Sequence, residues 1–191
     1  MEFYTNIHFF KSINELFSEV KKNTNKNIKI IDTNIAYFYP HIVDENTLIL
    51  NSGEKYKDIN SICKIIDFAL SRGLTRHDAF IGIGGGVITD MTAFAASIYK
   101  RGAKLHLIPT TLLAMVDAAI GGKTGCDFGN SKNMIGTFFP SHHLYITSEF
   151  IQTLPQNEYL SGLAEVIKTA LLYDKELFEL AKKAMNNSYS P

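Results

Sequence analysis

Ala79-Phe80-Ile81-Gly82-Ile83-Gly84-Gly85-Gly86-Val87-Ile88-Thr89-Asp90 is the stretch from which the rest of the chain is read. Residues 79–83 form an apolar run of strand length, and residues 87–99 are long enough for a helix, so the three glycines stand where a strand turns into a helix. The next apolar run, 105–108, stops at Pro109. Strand, glycine turn, helix and strand make a βαβ unit of about 30 residues, the length of a right-handed crossover between parallel strands. Glycines at such a turn let the backbone approach an anion, and the first N–H groups of the helix offer donors and a favourable dipole. The dinucleotide fingerprint G-x-G-x-x-G fails here. Gly82-x-Gly84 would need glycine at 87, where Val87 stands, and Lys104 occupies the place of the acid expected about 20 residues on. A tight turn without a ligand and an anion-binding turn both stay open, and three consecutive glycines, each entropically costly to order, favour the second.

Outward from this unit the pattern repeats. Upstream, Ser12-Ile13-Asn14-Glu15 fits a capping box, and Ile13, Leu16, Phe17 and Val20 recur at helical spacing before a polar stretch, 21–27, where the helix is expected to fray. Residues 28–31 read as a buried strand, and 47–50 as another that ends in the turn residues Asn51-Ser52-Gly53. Ile59, Ile62, Cys63, Ile66, Ala69 and Leu70 form a helical stripe closed by Gly73. From Gln156 the character changes to helix only, over 158–173 and 175–185. The expected fold class is α/β: a parallel-sheet domain over residues 1–155, followed over 156–191 by the first helices of an all-α domain.

The chain has 191 residues, 46% hydrophobic, enough for one packed core and the start of a second. Lys+Arg and Asp+Glu both number 19, for a net charge of +0, and no segment gathers basic charge. A nucleic-acid partner is therefore not expected. The longest uncharged run, Asn133 to Ser148, contains Asn, Pro, Ser and two His and is shorter than the roughly 20 apolar residues that cross a bilayer, so no membrane partner is expected either. Cys63 and Cys126 make neither a disulfide framework nor a zinc pair, and Met1-Glu2-Phe3 opens no basic leader, which points to the cytoplasm.

Two further segments carry chemistry. Gly121-Gly122-Lys123-Thr124 looks like the end of a P-loop, but Asp117 stands where its first glycine would be and would repel a triphosphate. Asp117, Lys123, Lys132 and Asn133, separated by small residues, suit a loop that wraps an anionic ligand; a plain solvated loop is the other reading. On the helix 158–173, Leu163, Val166, Ile167, Ala170 and Leu171 share one face, and Glu165, Lys168 and Leu172 the other. An exposed i,i+3 ion pair is the ordinary reading of Glu165 and Lys168. Leu172 among them points instead to a covered face, where a Glu beside a Lys would serve as a metal ligand or an acid/base group. None of the six histidines stands at H-E-x-x-H spacing, none follows Glu165, and His142 and His143, entering a strand, would point to opposite faces.

Taken in order, Ser52-Gly53-Glu54-Lys55-Tyr56-Lys57, the run Gly84 to Asp90, Tyr99-Lys100-Arg101-Gly102, Pro109-Thr110-Thr111-Leu112-Leu113-Ala114-Met115-Val116-Asp117, Gly121-Gly122-Lys123-Thr124-Gly125, Ser131-Lys132-Asn133-Met134-Ile135-Gly136 and Gly162-Leu163-Ala164-Glu165-Val166-Ile167-Lys168 closely resemble the 3-dehydroquinate synthase family. The resemblance covers residues 51–172. It implies a dehydroquinate synthase-like fold with an NAD-binding sheet domain, and a lyase of the shikimate pathway that converts 3-deoxy-D-arabino-heptulosonate 7-phosphate to 3-dehydroquinate and phosphate. It implies NAD and a divalent metal, Zn or Co, as cofactors, a small sugar acid phosphate as substrate, and a homodimer.

Carried over residue by residue, the resemblance puts the NAD adenosine and ribose near Asp32, Glu54 and Lys57 and the pyrophosphate against Gly84, Gly85, Gly86 and Val87. Asp90, Thr110, Thr111, Lys123, Lys132, Phe150, Ile151, Gln152 and Thr153 complete the cofactor site. Lys123 and Asn133 would bind the substrate phosphate, with Arg101 reaching in from a second subunit. Asp117 and Lys168 would contact the ring hydroxyls, and Glu165 would be one metal ligand. Two places depart from the family pattern: Thr89 stands where glycine is common, and Asp127-Phe128-Gly129-Asn130 replaces an Asn-containing loop. The family's histidine ligands fall beyond Pro191, so the sequence reads as an N-terminal piece or a truncated gene whose activity alone is doubtful. The alternatives are another sugar-phosphate cyclase, a glycerol dehydrogenase-like enzyme, and an NAD-binding remnant without catalysis.

Overall fold

A computed structural model describes residues 4–188. The strands are β1 (Asn6–Phe10), β2 (Asn27–Asp32), β3 (Thr47–Leu50), β4 (Ala79–Gly84), β5 (Lys104–Pro109), β6 (Cys126–Phe128), β7 (Ser131–Ile135) and β8 (His143–Thr147). The helices are α1 (Ile13–Asn23), α2 (Thr33–Phe38), α3 (Ile59–Ser71), α4 (Gly86–Ile98), α5 (Gln156–Tyr173) and α6 (Lys175–Ser188). Among the described residues, six strands form one parallel sheet in the order β1-β8-β5-β4-β2-β3, while β6 and β7 make a separate antiparallel hairpin.

β4 is apolar and buried along its whole length, and β5 is buried from Leu105 to Pro109, because both faces of the sheet are covered there. Ile28, Ile30, Phe80, Leu105 and Leu107 pack against α3 and α4. Their neighbours in sequence, Ile31, Ile81, Ile83 and Ile108, pack on the other face against α1 and α2. The βαβ unit is therefore as expected, with Ile83 opposite Ile108 in parallel register. α4 lies so close on β4 that a Cβ on Gly84 would come within 2.7 Å of the Ile88 Cβ.

α1 ends at Asn23, within the polar stretch 21–27 where its end is expected; the Asn23 side chain bonds the Glu19 carbonyl at 3.1 Å, and Lys21 and Lys22 are favourably placed in the last turn. Other features differ from the reading of the sequence. The Ser12 hydroxyl accepts the Glu15 N–H at 3.2 Å, as a capping box requires, but the Glu15 carboxylate accepts from Lys11 rather than from Ser12. The ligand-wrapping loop expected over 117–133 is a turn of π-helix, Ala114–Ala118, followed by the β6–β7 hairpin, which turns at Gly129 with φ +59°.

α5 packs against α6 and the Ala114–Ala118 turn, so closely that a Cβ on Gly162 would sit 2.5 Å from the Leu113 nitrogen. Leu163 and Ala170 are buried as expected, but Leu171 and Leu172 are 65% and 66% exposed. The covered face inferred from Leu172 is thus a correction: the described elements that pack on α5 meet it along Gly162, Leu163 and Ala170 and leave Leu172 in solvent.

Candidate functional site

The carboxyl ends of parallel strands are where α/β sheets bind ligands, because the chain leaves each strand there through a loop. At this edge lies a cleft of about 690 Å³. Its floor is the glycine turn. Gly85 caps α4 without any side-chain bond, which leaves the first N–H groups of the helix open to the cleft. Gly84, Gly85 and Gly86 all lie outside the left-handed region, so the turn itself does not demand glycine there. A Cβ on Gly85 would instead come 3.0 Å from the Thr111 Cγ2 and narrow the cleft wall. The Thr110 N–H donates to the Gly84 carbonyl at 2.9 Å and ties the end of β5 to this turn.

Beside the glycines, β2 pairs with β4, Ile31 opposite Ile83, so Asp32 ends its strand next to Gly84. A dinucleotide site wants an acid at that place, and here the neighbouring strand precedes the glycine turn in sequence instead of following it. The forward spacing rule therefore finds only Lys104. One Asp32 oxygen caps α2, accepting the N–H groups of Asn34 and Ile35, both at 2.9 Å. Burial pushes the Asp32 carboxyl up, and those bonds offset it only in part.

Lys57 is 4% exposed, and its Nζ donates to Asp90 Oδ2 and to Asn133 Oδ1, each at 2.6 Å. Burial raises the Asp90 carboxyl above its ordinary value, against the pull of Lys57. Asn133 comes from the hairpin, whose Lys132 also reaches Glu54 at 3.3 Å.

The cleft thus gathers Asp32, Glu54, Lys57, Gly85, Gly86, Val87, Asp90, Thr110, Thr111, Phe150 and Thr153, all expected from the sequence. It also takes in Ser52, Gly53 and, where α5 begins, Pro155, Asn157 and Glu158, which sequence reasoning missed; the turn residues at 52–53 were a usable signal and the helix start was not. Gly84 lies beneath the floor, Ile151 packs into the core, and Gln152 is exposed. Lys123 is exposed and bridges in backbone to Phe138. Asp117 is exposed, close enough to Asp90 and Lys168 to raise both. Lys168 donates to Glu165, and that carboxylate is the main cause of the upward shift of Lys168. Arg101 lies in the turn Tyr99–Arg101 after α4, and a helix of 13 residues, about 20 Å at 1.5 Å per residue, separates it from the glycine turn at the other end.

The cleft fits a dinucleotide: an uncapped helix N-terminus for a pyrophosphate, glycine where a Cβ would intrude, and a carboxylate at the end of the next strand for ribose hydroxyls. A metal fits less well, because among the described residues no group of three or more His, Cys, Asp and Glu is arranged to hold one. Three of the six histidines cluster elsewhere. His8 on β1, His106 on β5 and His143 on β8 meet on the sheet face covered by α1, with His8 Nε2 and His143 Nδ1 2.9 Å apart and the Tyr145 hydroxyl 3.4 Å from His106 Nδ1.

Residues 47–161 match the 3-dehydroquinate synthase N-terminal family. The chain is 52% identical over 141 residues to the 3-dehydroquinate synthase of Pyrococcus furiosus, covering 74% of this chain and 41% of that protein. It is 44% identical over 171 residues to the 3-dehydroquinate synthase of Buchnera aphidicola subsp. Cinara cedri, covering 87% and 47%. The chain therefore spans less than half the length of these relatives. Among solved structures, 2-epi-5-epi-valiolone synthase from Streptomyces hygroscopicus subsp. jinggangensis, with NAD+ and Zn2+ bound, superposes with a TM-score of 0.85 at 31% identity, over 94% of this chain and 53% of that one.

Proposed function

The chain belongs to the 3-dehydroquinate synthase family, and on that premise we propose that it forms the NAD-binding part of an enzyme that converts 3-deoxy-D-arabino-heptulosonate 7-phosphate to 3-dehydroquinate and phosphate. The observation that carries this reading is the glycine-floored, uncapped N-terminus of α4 beside the carboxylate of Asp32. The curated relatives favour it over a glycerol dehydrogenase-like enzyme or another cyclase.

In this reading the N–H groups of Gly85, Gly86 and Val87 hold the pyrophosphate, and Asp32 and Glu54 accept from ribose hydroxyls. Thr110, Thr111, Phe150 and Thr153 wall the site, and Lys57 and Asp90, locked together, fix its far side. NAD, when bound, supplies a hydride acceptor that makes the C–H next to the oxidised carbon acidic enough for phosphate to leave. Lys123 and Asn133 offer a point charge and a neutral donor to the substrate phosphate, offsetting negative charge as it departs, while Lys132, paired with Glu54, stays with the cofactor site. Arg101, too far from the cleft of its own chain, would serve that of a second copy in a homodimer. Asp117 and Lys168 face the ring hydroxyls. Glu165 is proposed as one ligand of a divalent metal, Zn2+ or Co2+, which the described residues do not hold by themselves. The helices from residue 156 onward are read as the beginning of a second domain, and the protein as cytoplasmic.

Calorimetric titration with NAD+ tests the reading. The native chain should bind with 1:1 stoichiometry, and Gly85→Val, whose backbone φ of −76° tolerates a side chain, should stay folded and lose affinity by about a hundredfold as its methyls fill the floor. Equal affinity in the two proteins would reject the placement.

A further inference from the structure

Asp127 is the middle residue of β6, and its contacts close a ring around Lys57. Its backbone N–H donates to the Lys57 carbonyl at 2.7 Å. Its Oδ1 accepts the backbone N–H of Asn133, also at 2.7 Å. The Asn133 side-chain oxygen in turn accepts from Lys57 Nζ at 2.6 Å, and the same Nζ reaches Asp90 on the cleft wall at 2.6 Å. Asn133 makes this contact with φ +52°, in the left-handed region that Asn visits more readily than most residues but that still needs a local restraint. The hairpin supplies little restraint of its own: β6 has three residues, the pairing is irregular between Cys126 and Phe128, and four of the five β7 residues are exposed.

We propose that Asp127 is a positioning residue of the cleft: by accepting the Asn133 N–H it holds Asn133 in its left-handed conformation, and through the Asn133 side chain it keeps the Lys57 ammonium aimed at Asp90. The requirement is for an acceptor oxygen at this place, not for its charge, since the group it restrains is a neutral amide. Asparagine satisfies it and alanine does not. Lys57 then keeps both side-chain partners in its nearly closed surroundings, and the wall against which the cofactor rests is rigid before anything binds. The consequence for NAD rests on the function proposed above; the consequence for Asn133 and Lys57 does not.

Native protein, Asp127→Asn and Asp127→Ala are compared by NMR and by NAD+ titration. In Asp127→Ala the Asn133 amide should exchange with solvent about tenfold faster, the side-chain ammonium signal of Lys57 should shift or broaden, and NAD+ should bind about fivefold more weakly, the scale of one ordinary hydrogen bond. Asp127→Asn should restore all three, which a general loss of hairpin stability or of charge would not produce. Native-like exchange and ammonium signals in Asp127→Ala overturn the proposal, as does an Asp127→Asn protein that behaves like Asp127→Ala. Should the native chain fail to bind NAD+, the functional reading falls, while the exchange and ammonium measurements still decide the role of Asp127.

Discussion

At the scale of single residues, the decisive group is a buried ammonium. Lys57 is nearly closed to solvent and offers its charge to Asp90, itself mostly covered. Removing one partner of such a pair leaves the other charged and desolvated, which costs about 3 kcal/mol or more. Lys57→Met, close in shape, should therefore lower stability at pH 7 by about that much. The pH dependence has a definite sign. Burial raises the folded-state pKa of Asp90 above 3.8, so folding favours its protonated form, and stability falls as pH rises from 3.8 through the folded value. Without Lys57 the carboxyl is raised further, so the deficit of Lys57→Met should shrink on acidification toward pH 4. Urea unfolding at pH 7 and pH 4.5 measures this, and a deficit that is constant or grows on acidification would contradict it. Little of this was legible in the sequence. Lys57, Asp90 and Asn133 were each singled out by resemblance, but nothing in their spacing reveals that a single nitrogen joins all three.

Among the elements, legibility followed burial. β4, α4 and β5 were read closely because strands covered on both faces are continuous apolar runs and their neighbours punctuate them with glycine and proline. β1 is an edge strand with Ile7 and Phe9 exposed, so its sequence carries no inward pattern of its own. The hairpin was invisible because its own pairing is short and irregular and its strands mostly exposed, while its side chains bond to Lys57 and Glu54, far away in sequence. β1 is joined to β8 and β5 through His8, His143 and His106, and this junction makes the fold sensitive to acid. Burial, with smaller contributions from His143, His142, Lys104 and His8, lowers His106 to about 3, and burial lowers His142 and His143 as well. Of the groups facing them, Lys104 adds to this effect at both His142 and His143, and Glu19 opposes it at His143. A histidine depressed in the folded state contributes stability that is complete above about 6.5 and is lost as pH falls toward the folded value. Thermal midpoints should therefore fall between pH 6.5 and pH 4, and His106→Gln should flatten that slope by about one proton. An unchanged slope would exclude His106 as its source.

The molecule as a whole separates two kinds of metal-binding chemistry. Three of its histidines gather on the α1-covered face of the sheet, where His8 and His143 are already bonded to each other and His106 faces Tyr145. Its one carboxylate marked by resemblance as a ligand, Glu165, lies on α5, a helix that meets the sheet layer by way of the Ala114–Ala118 turn beyond the end of β5, and it is engaged by Lys168. A catalytic zinc takes three protein ligands and keeps one open position, and a single carboxylate bonded to a lysine falls well short of that. The cofactor cleft needs no such convergence: its donors are backbone N–H groups and its acids lie at neighbouring strand ends. The two cofactor sites should therefore come apart in this chain, with NAD+ bound and zinc not held. Equilibrium dialysis at micromolar zinc should leave no stoichiometric metal on the protein, and NAD+ affinity should be the same with and without a chelator. One zinc retained per chain and lost in Glu165→Gln would mean that Glu165 trades its lysine for further ligands, and that α5 in solution stands in a different relation to the histidines.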